Sequence, residues 1–282
     1  LLFAAIGGIT LCILLYVFIQ IAFIGALSPD DLTQGWQHLS FAKDAGPIAG
    51  LMTVLGLAWF VKILYLDAII SPFGTAFIYT AATARVNYAM SQNGYMPKFM
   101  QKLNKKGVPV IAIAINFVIG MFFFLPFPGW QSMVGFLVSC FVLSYAVGPI
   151  ALVALRSKQP DVERPFRLPC AYFISLVAFY ICNLIVFWTG WHTVWRMFLT
   201  IGIGYVFLGI YRFFNKQNDD LRFANSYWLF PYFIGLGLIS FYGSFGGGTG
   251  LLAFGWDFIV IALLTIAIFY IATCQFTIRE KD

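Results

Sequence analysis

The chain has 282 residues, of which 61% are hydrophobic and only 10% charged, with a mean hydropathy of +0.87; a soluble domain carries roughly 25% charged residues. So few charges cannot cover a globular surface, which excludes an ordinary soluble protein and requires a surface that faces lipid. The net charge of +6 does not indicate a nucleic-acid binder, because the basic residues fall between apolar runs and not on one contiguous face.

Apolar runs cover 1–27, 53–84, 109–126, 131–155, 170–189, 193–213, 227–243 and 253–276, most of them near the ~20 residues a helix needs to cross a bilayer. Period-two segments that would suggest a barrel are absent from the pattern. The expected fold is therefore all-α: a polytopic transmembrane helix bundle of about eight spans. The first run starts at Leu1 with no basic residue before it, so it reads as a span and not as a signal peptide, and the chain is expected to begin inside a longer protein.

The second run carries the most informative residues. Apolar residues continue from Gly46 to Ala84, too far for one span, which predicts a short helix before a tilted one. Lys62 and Asp67 lie within it, and intramembrane charges need a partner or water. Asp67, Ser71, Gly74, Thr75 and Ile78 recur at helical spacing and share one stripe. Small and polar residues there predict a face turned to the protein interior or to a water-filled path. Asp67 reads as a proton or cation site or a contact for polar substrate groups; the alternative is a structural ion pair, with Lys62 as a charge partner. Pro72 frees the carbonyl of Ala68 and predicts a kink.

Further along, Ser139, Ser144, Tyr145 and the Gly148–Pro149 pair interrupt the fourth run; close helix packing explains them, with gating as the other reading. Arg196 lies near one end of its run and can snorkel. The Gly243–Gly250 stretch lacks the residues of a phosphate loop and reads as a flexible loop. Asp257 opens the last run, where an acid favours a helix N-terminus. The five cysteines, Cys12, Cys140, Cys170, Cys182 and Cys274, have no metal spacing and read as small buried hydrophobes. His38 and His192 stand without neighbouring ligands, so no metal site or cofactor is expected. No catalytic constellation is present, and an enzyme is not expected.

Lys and Arg set the direction. Arg85, Lys98, Lys102, Lys105 and Lys106 follow the second run; Arg156, Lys158, Arg164 and Arg167 follow the fourth; Arg212, Lys216 and Arg222 follow the sixth; Arg279 and Lys281 end the chain. Only Lys43, Lys62 and Arg196 lie elsewhere. The positive-inside rule makes the basic side cytoplasmic, so both chain ends are expected in the cytoplasm of a cell-membrane protein.

Two of these basic segments carry a family pattern. ARVNYAMSQNGYMPKFMQKLNKKGVPV, from Ala84 to Val110, resembles the stretch after the eighth helix of the amino acid/polyamine/organocation permeases, with Arg85, Tyr88, Met90, Gly94, Pro97, Gly107 and Pro109 matching in order. LRSKQPDVERPFRLP, from Leu155 to Pro169, is similar to the same family's signature after its tenth helix through Arg164, Pro165 and Arg167. The resemblance covers about the first 213 residues and implies helices seven to twelve of a pair of five-helix inverted repeats, plus two more. Those two are similar to a bacterial group that includes aspartate/proton symporters.

The family implies a division into residues 1–157, helices seven to ten of the transporter core, and 158–282, peripheral helices. It implies that substrate binds near the midplane at broken helices one and six, the partner helices outside this chain. It also implies that the eighth helix lines the cavity, where Asp67, Ser71 and Thr75 would fall; the charge at Asp67 departs from the family's general pattern. The function so implied is secondary transport of amino acids by alternating access, driven by a proton gradient. The alternatives are an exchanger of amino acids or polyamines, and a non-transporting membrane sensor or truncated permease.

Overall fold

A computed structural model describes residues 2–27, 46–123, 130–164, 166–214, 226–253 and 255–275. The chain divides into two compact units, Leu1–Ala81 and Ala82–Asp282.

In the first unit, α1 spans Leu2–Ala26 and the short α2 spans Pro47–Val54. Pro47 occupies the first turn of α2, where its missing N–H has no partner to lose. Gly56, at φ +76, then turns the chain into α3, Ala58–Gln92, a helix of about 52 Å that runs unbroken through Pro72. The expected short helix before a long one is thus α2 followed by α3. α2 buries Ala49, Gly50 and Leu51, whereas the apolar windows of α1 and α3 have no buried residue.

The second unit starts within the last turns of α3 and continues through a 3-10 turn at Lys98–Gln101 to α4, Val110–Phe123, α5, Trp130–Lys158, α6, Ala171–Trp188, α7, Trp191–Phe214, α8, Leu229–Tyr242, and α9, Trp256–Gln275. Packing centres on α6, which lies against α5 and α9, while α8 rests on α7 and α9. Phe136, Leu143, Phe179, Met197, Tyr232 and Phe269 form the main apolar core, and Leu184, Phe187, Ile239 and Ile261 form a smaller one with Phe245 and Leu252. Among the described residues six helices are long and apolar enough to cross a membrane: the eight runs yield α1, α3, α5, α6, α7 and α9 at that length, while Val110–Phe122 and Leu229–Tyr242 are shorter apolar helices. The protein is an all-α, multi-pass membrane bundle.

Two sequence expectations change. The Gly243–Gly250 stretch is a built loop: Thr249 and Leu252 donate backbone N–H groups to Phe241 and Tyr242, at 2.7 and 2.8 Å, and Trp191 and His192 donate to the carbonyls of Phe245 and Gly246, at 3.2 and 2.9 Å. A Cβ on Gly190 would stand 2.5 Å from the Gly246 Cα, so the glycines serve close backbone approach and not flexibility. The cysteines are free but none is fully buried: Cys140 and Cys182 are partly covered, and Cys12, Cys170 and Cys274 are exposed. On a helix surface that faces lipid, a small apolar thiol needs no burial.

Candidate functional site: the α3 stripe and its supporting loops

Asp67, Ser71, Gly74 and Thr75 line one side of α3, and all are exposed, as is Lys62. The Thr75 hydroxyl donates to the Ser71 carbonyl at 3.0 Å, and Thr80 does the same to Ala76 at 2.7 Å. These bonds turn two hydroxyls back onto their own helix, leaving the Asp67 carboxylate and the Ser71 hydroxyl as the stripe's outward polar groups. An exposed carboxylate on a helix this apolar calls for water or a polar partner and does not suit lipid.

The end of α3 is built by the family motif. Gly94, at φ +81, follows the last turn, and its N–H bonds to the Ser91 carbonyl at 3.2 Å while Tyr95 N–H reaches Met90 at 2.9 Å. That is the paired 5→2 and 6→1 closure of a helix by a left-handed glycine. Tyr88 accepts a bond from Gln92 Nε2 at 2.9 Å. Buried Ser91 donates its hydroxyl to the Pro97 carbonyl, and its own carbonyl accepts from Gln101 Nε2, both at 2.7 Å. Asn104 Oδ1 then accepts the N–H groups of Lys106 and Val108, each at 2.9 Å, with Gly107 at φ +73 completing the turn. Arg85 stays exposed.

The second motif works in the same way. The Arg164 guanidinium donates to the carbonyls of Val162, Leu155 and Gln159 at 3.0, 3.2 and 2.7 Å, tying the following loop to the end of α5, where the Leu155 carbonyl also accepts the Gln159 N–H. Arg156 donates to the Leu168 carbonyl at 2.9 Å. Arg167 is exposed, and Pro165 lies outside the described residues. The first motif thus builds a turn after α3 and the second a turn after α5, while Arg85 and Arg167 stay exposed.

Several polar residues that the sequence reading did not single out are joined. Asn87 donates to Asn116 Oδ1 at 2.6 Å, and Asn116 Nδ2 donates to Thr83 at 3.2 Å, bonding the end of α3 to α4. Asn116 is the sole polar side chain of α4, a signal that it needs a partner. In α5, Ser139 and Ser144 bond back to Gly135 and Phe141, each at 2.8 Å. Asp257 is buried, and its Oδ1 accepts N–H groups of Gly255 and Phe258 at 2.9 Å each, as suits an acid at the start of α9. The Arg196 guanidinium lies 5.7 Å over the Trp195 ring, a cation–π contact.

A cavity of about 290 Å³ opens between α5, α6, α7 and α8, with walls from Leu143, Phe179, Met197, Trp228 and Tyr232. It is apolar and offers no charged partner to a zwitterion, whose two charges need pairing when desolvated. Among the described residues no group of His, Cys, Asp or Glu could hold a metal ion; His192 is described, whereas His38, Lys43, Asp30, Asp31 and Asp44 lie outside those residues.

Comparison with known proteins agrees with the two motifs. Residues 1–210 match the family model described as amino acid permease. The chain is 34% identical over 274 residues to the glutamate/serine transporter AimA of Bacillus subtilis (strain 168), covering 95% of this chain and 50% of that protein. To the aspartate-proton symporter of the same organism it is 32% identical over 261 residues, covering 91% of this chain and 50% of that one. The branched-chain amino acid permease BcaP of that organism is 25% identical over 226 residues, 77% of this chain and 44% of the relative. No solved structure matches. The chain spans about half the length of the curated relatives it matches. Covering 95% and 91% of this chain, the first two similarities run past residue 210 and through α8. On its motifs, its helices and these matches, the chain belongs to the amino acid permease family.

Proposed function

We propose that this chain is the C-terminal part of a secondary transporter that carries amino acids across the cell membrane by alternating access, coupled to protons. The observation that carries the reading is a similarity extending over 95% and 91% of the chain, past residue 210 and through α8, to one protein named a glutamate/serine transporter and another named an aspartate-proton symporter. Residues 1–157 belong to the moving core and 158–282 to the peripheral helices. The basic loops face the cytoplasm, which puts both chain ends there, and helices one to six of the same transporter complete the substrate site.

In this reading the α3 stripe faces the transport path. Asp67 is an ionisable group exposed along an apolar helix, and an intramembrane acid with access to water can take up and release a proton. Ser71 extends the polar surface by one turn, and Thr75, its hydroxyl bonded back to Ser71, lies one turn further along the same side. The two motif loops hold the ends of α3 and α5 while those helices move.

The test is uptake of labelled glutamate, aspartate and serine by the complete transporter in proteoliposomes, with and without a pH gradient that is alkaline inside. Accumulation of at least one of the three that rises with the gradient supports the proposal. Absence of uptake of any amino acid removes it, and uptake indifferent to the gradient removes the coupling.

A further inference from the structure

Asn183 of α6, Tyr232 of α8 and Thr265 of α9 meet in the interior of the second unit. Their relative exposures are 0%, 2% and 1%. Asn183 Nδ2 donates to the Thr265 hydroxyl at 2.9 Å, and the Tyr232 hydroxyl donates to Asn183 Oδ1 at 2.7 Å. One amide thus binds a different helix at each end. Around it the wall is apolar: Phe179 lies 5.6 Å from the Tyr232 ring and 6.1 Å from Phe269, centroid to centroid.

Apart from Gly235 of α8, against which Leu264 of α9 seats, the surrounding apolar side chains do not define a unique fit. Past the first turn, where Asp257 is buried, the buried face of α9 reads Ile261, Thr265, Ile268, Phe269 and Ala272, and that of α8 reads Tyr232, Leu236, Ile239 and Ser240. Apolar residues therefore recur at each turn, and sliding either helix by one turn along α6 would still oppose apolar to apolar. Inside a membrane such a slide loses little, because lipid competes with the partner helix for the same contacts. The same slide would strand the Asn183 amide and two hydroxyls among Phe and Ile side chains, where an unpaired polar group is strongly disfavoured. A single buried Asn fixes register among repeated apolar layers in coiled coils by this means.

We propose that the Asn183–Tyr232–Thr265 network is a polar lock that sets the register of α8 and α9 on α6. Because α6 lies within residues 1–210 and the other two helices lie after them, the lock makes the added helix pair one body with the permease helices instead of a loose appendage. Asn183 and its partners act as positioning residues here.

Register is read by disulfide formation in the full-length protein in its native membrane, with all native cysteines replaced, the five of this chain among them. A Cβ at Gly235 would stand 2.5 Å from Leu264 Cδ1, so the pair Gly235→Cys with Leu264→Cys reports the observed register. Ile239→Cys with Leu264→Cys reports a slide of one turn. With the network intact, the first pair cross-links in strong preference to the second. Tyr232→Phe removes one hydroxyl and little packing, and is expected to reduce that preference about threefold. The triple change Asn183→Leu, Tyr232→Phe, Thr265→Val restores an all-apolar interior and is expected to bring the two yields near parity. A preference unchanged in both variants overturns the proposal.

Discussion

Gly190→Ala should be among the most damaging single-methyl additions in the second unit. Gly190 joins α6 to α7 at φ +84, a left-handed conformation that disfavours an L side chain by roughly 1–2 kcal/mol. The added Cβ would stand 2.5 Å from Gly246 Cα and 2.9 Å from its nitrogen. Both are backbone atoms that cannot rotate away, so the Gly243–Gly250 loop must lift. Lifting it breaks the bonds from Trp191 and His192 to the loop carbonyls, each contributing about 1 kcal/mol. The total loss is about 3 kcal/mol, before any disturbance of the Phe187–Phe245 edge contact at 5.3 Å. The control is Gly204→Ala in α7, where a Cβ meets nothing within 4 Å and helix propensity favours Ala by about 1 kcal/mol. Thermal unfolding in one detergent, followed by a thiol-reactive dye, compares them: Gly204→Ala melts at or above the parent and Gly190→Ala well below. Equal midpoints for the parent and Gly190→Ala would refute the close-approach argument.

Arg164→Ala should free the end of α5 by about 1 kcal/mol, seen as faster amide exchange at Leu155–Lys158 and faster proteolysis of the following loop. Arg164→Lys should not restore protection, because an ammonium cannot reproduce the guanidinium fork over three carbonyls. Asn116→Leu removes both bonds between α4 and the end of α3 and should destabilise that hairpin by about 1 kcal/mol, with greater labelling of a cysteine placed at the buried Ala112. Asp67→Asn should leave folding and membrane insertion intact, since the side chain is exposed, but slow uptake or shift its pH dependence. Normal uptake with an unshifted profile would remove Asp67 from the pathway.

Hydropathy made the helices legible because a lipid-facing span must be apolar over most of its length, and the ends of α1, α6 and α9 fall within a few residues of the runs. It could not tell a full span from a shorter apolar helix: α8 is as apolar as α6, and its length of 14 residues sets it apart. The run ending at Ala84 also hid the last turns of α3, since Arg85, Asn87 and Gln92 are polar yet helical. Motifs identified the loops but not their work. That Arg164 covers three carbonyls, or that Gly94 closes α3, follows from geometry that residue types only permit.

The least legible features were pairings between distant residues. Asn183 and Thr265 stand in apolar runs with nothing local to connect them, and a lone polar residue in a span announces a need without naming its partner. The glycine-rich loop misled in the opposite direction. Its composition suggests freedom, but the missing side chains are what allow Gly246 to lie on Gly190. The α3 stripe of Asp67, Ser71, Gly74, Thr75 and Ile78 was drawn from periodicity, and because no residue in the apolar window of α3 is buried, exposure does not single that side out.

We propose that amino acid and proton enter together through a transporter to which this chain contributes α3 and its stripe. Proteoliposomes containing the complete transporter and an internal pH dye test it when glutamate, aspartate or serine is added outside. Acidification of the lumen is expected to follow amino-acid entry and to slow in Asp67→Asn. Entry without acidification would contradict proton coupling, and no entry of any amino acid would contradict the transport function itself.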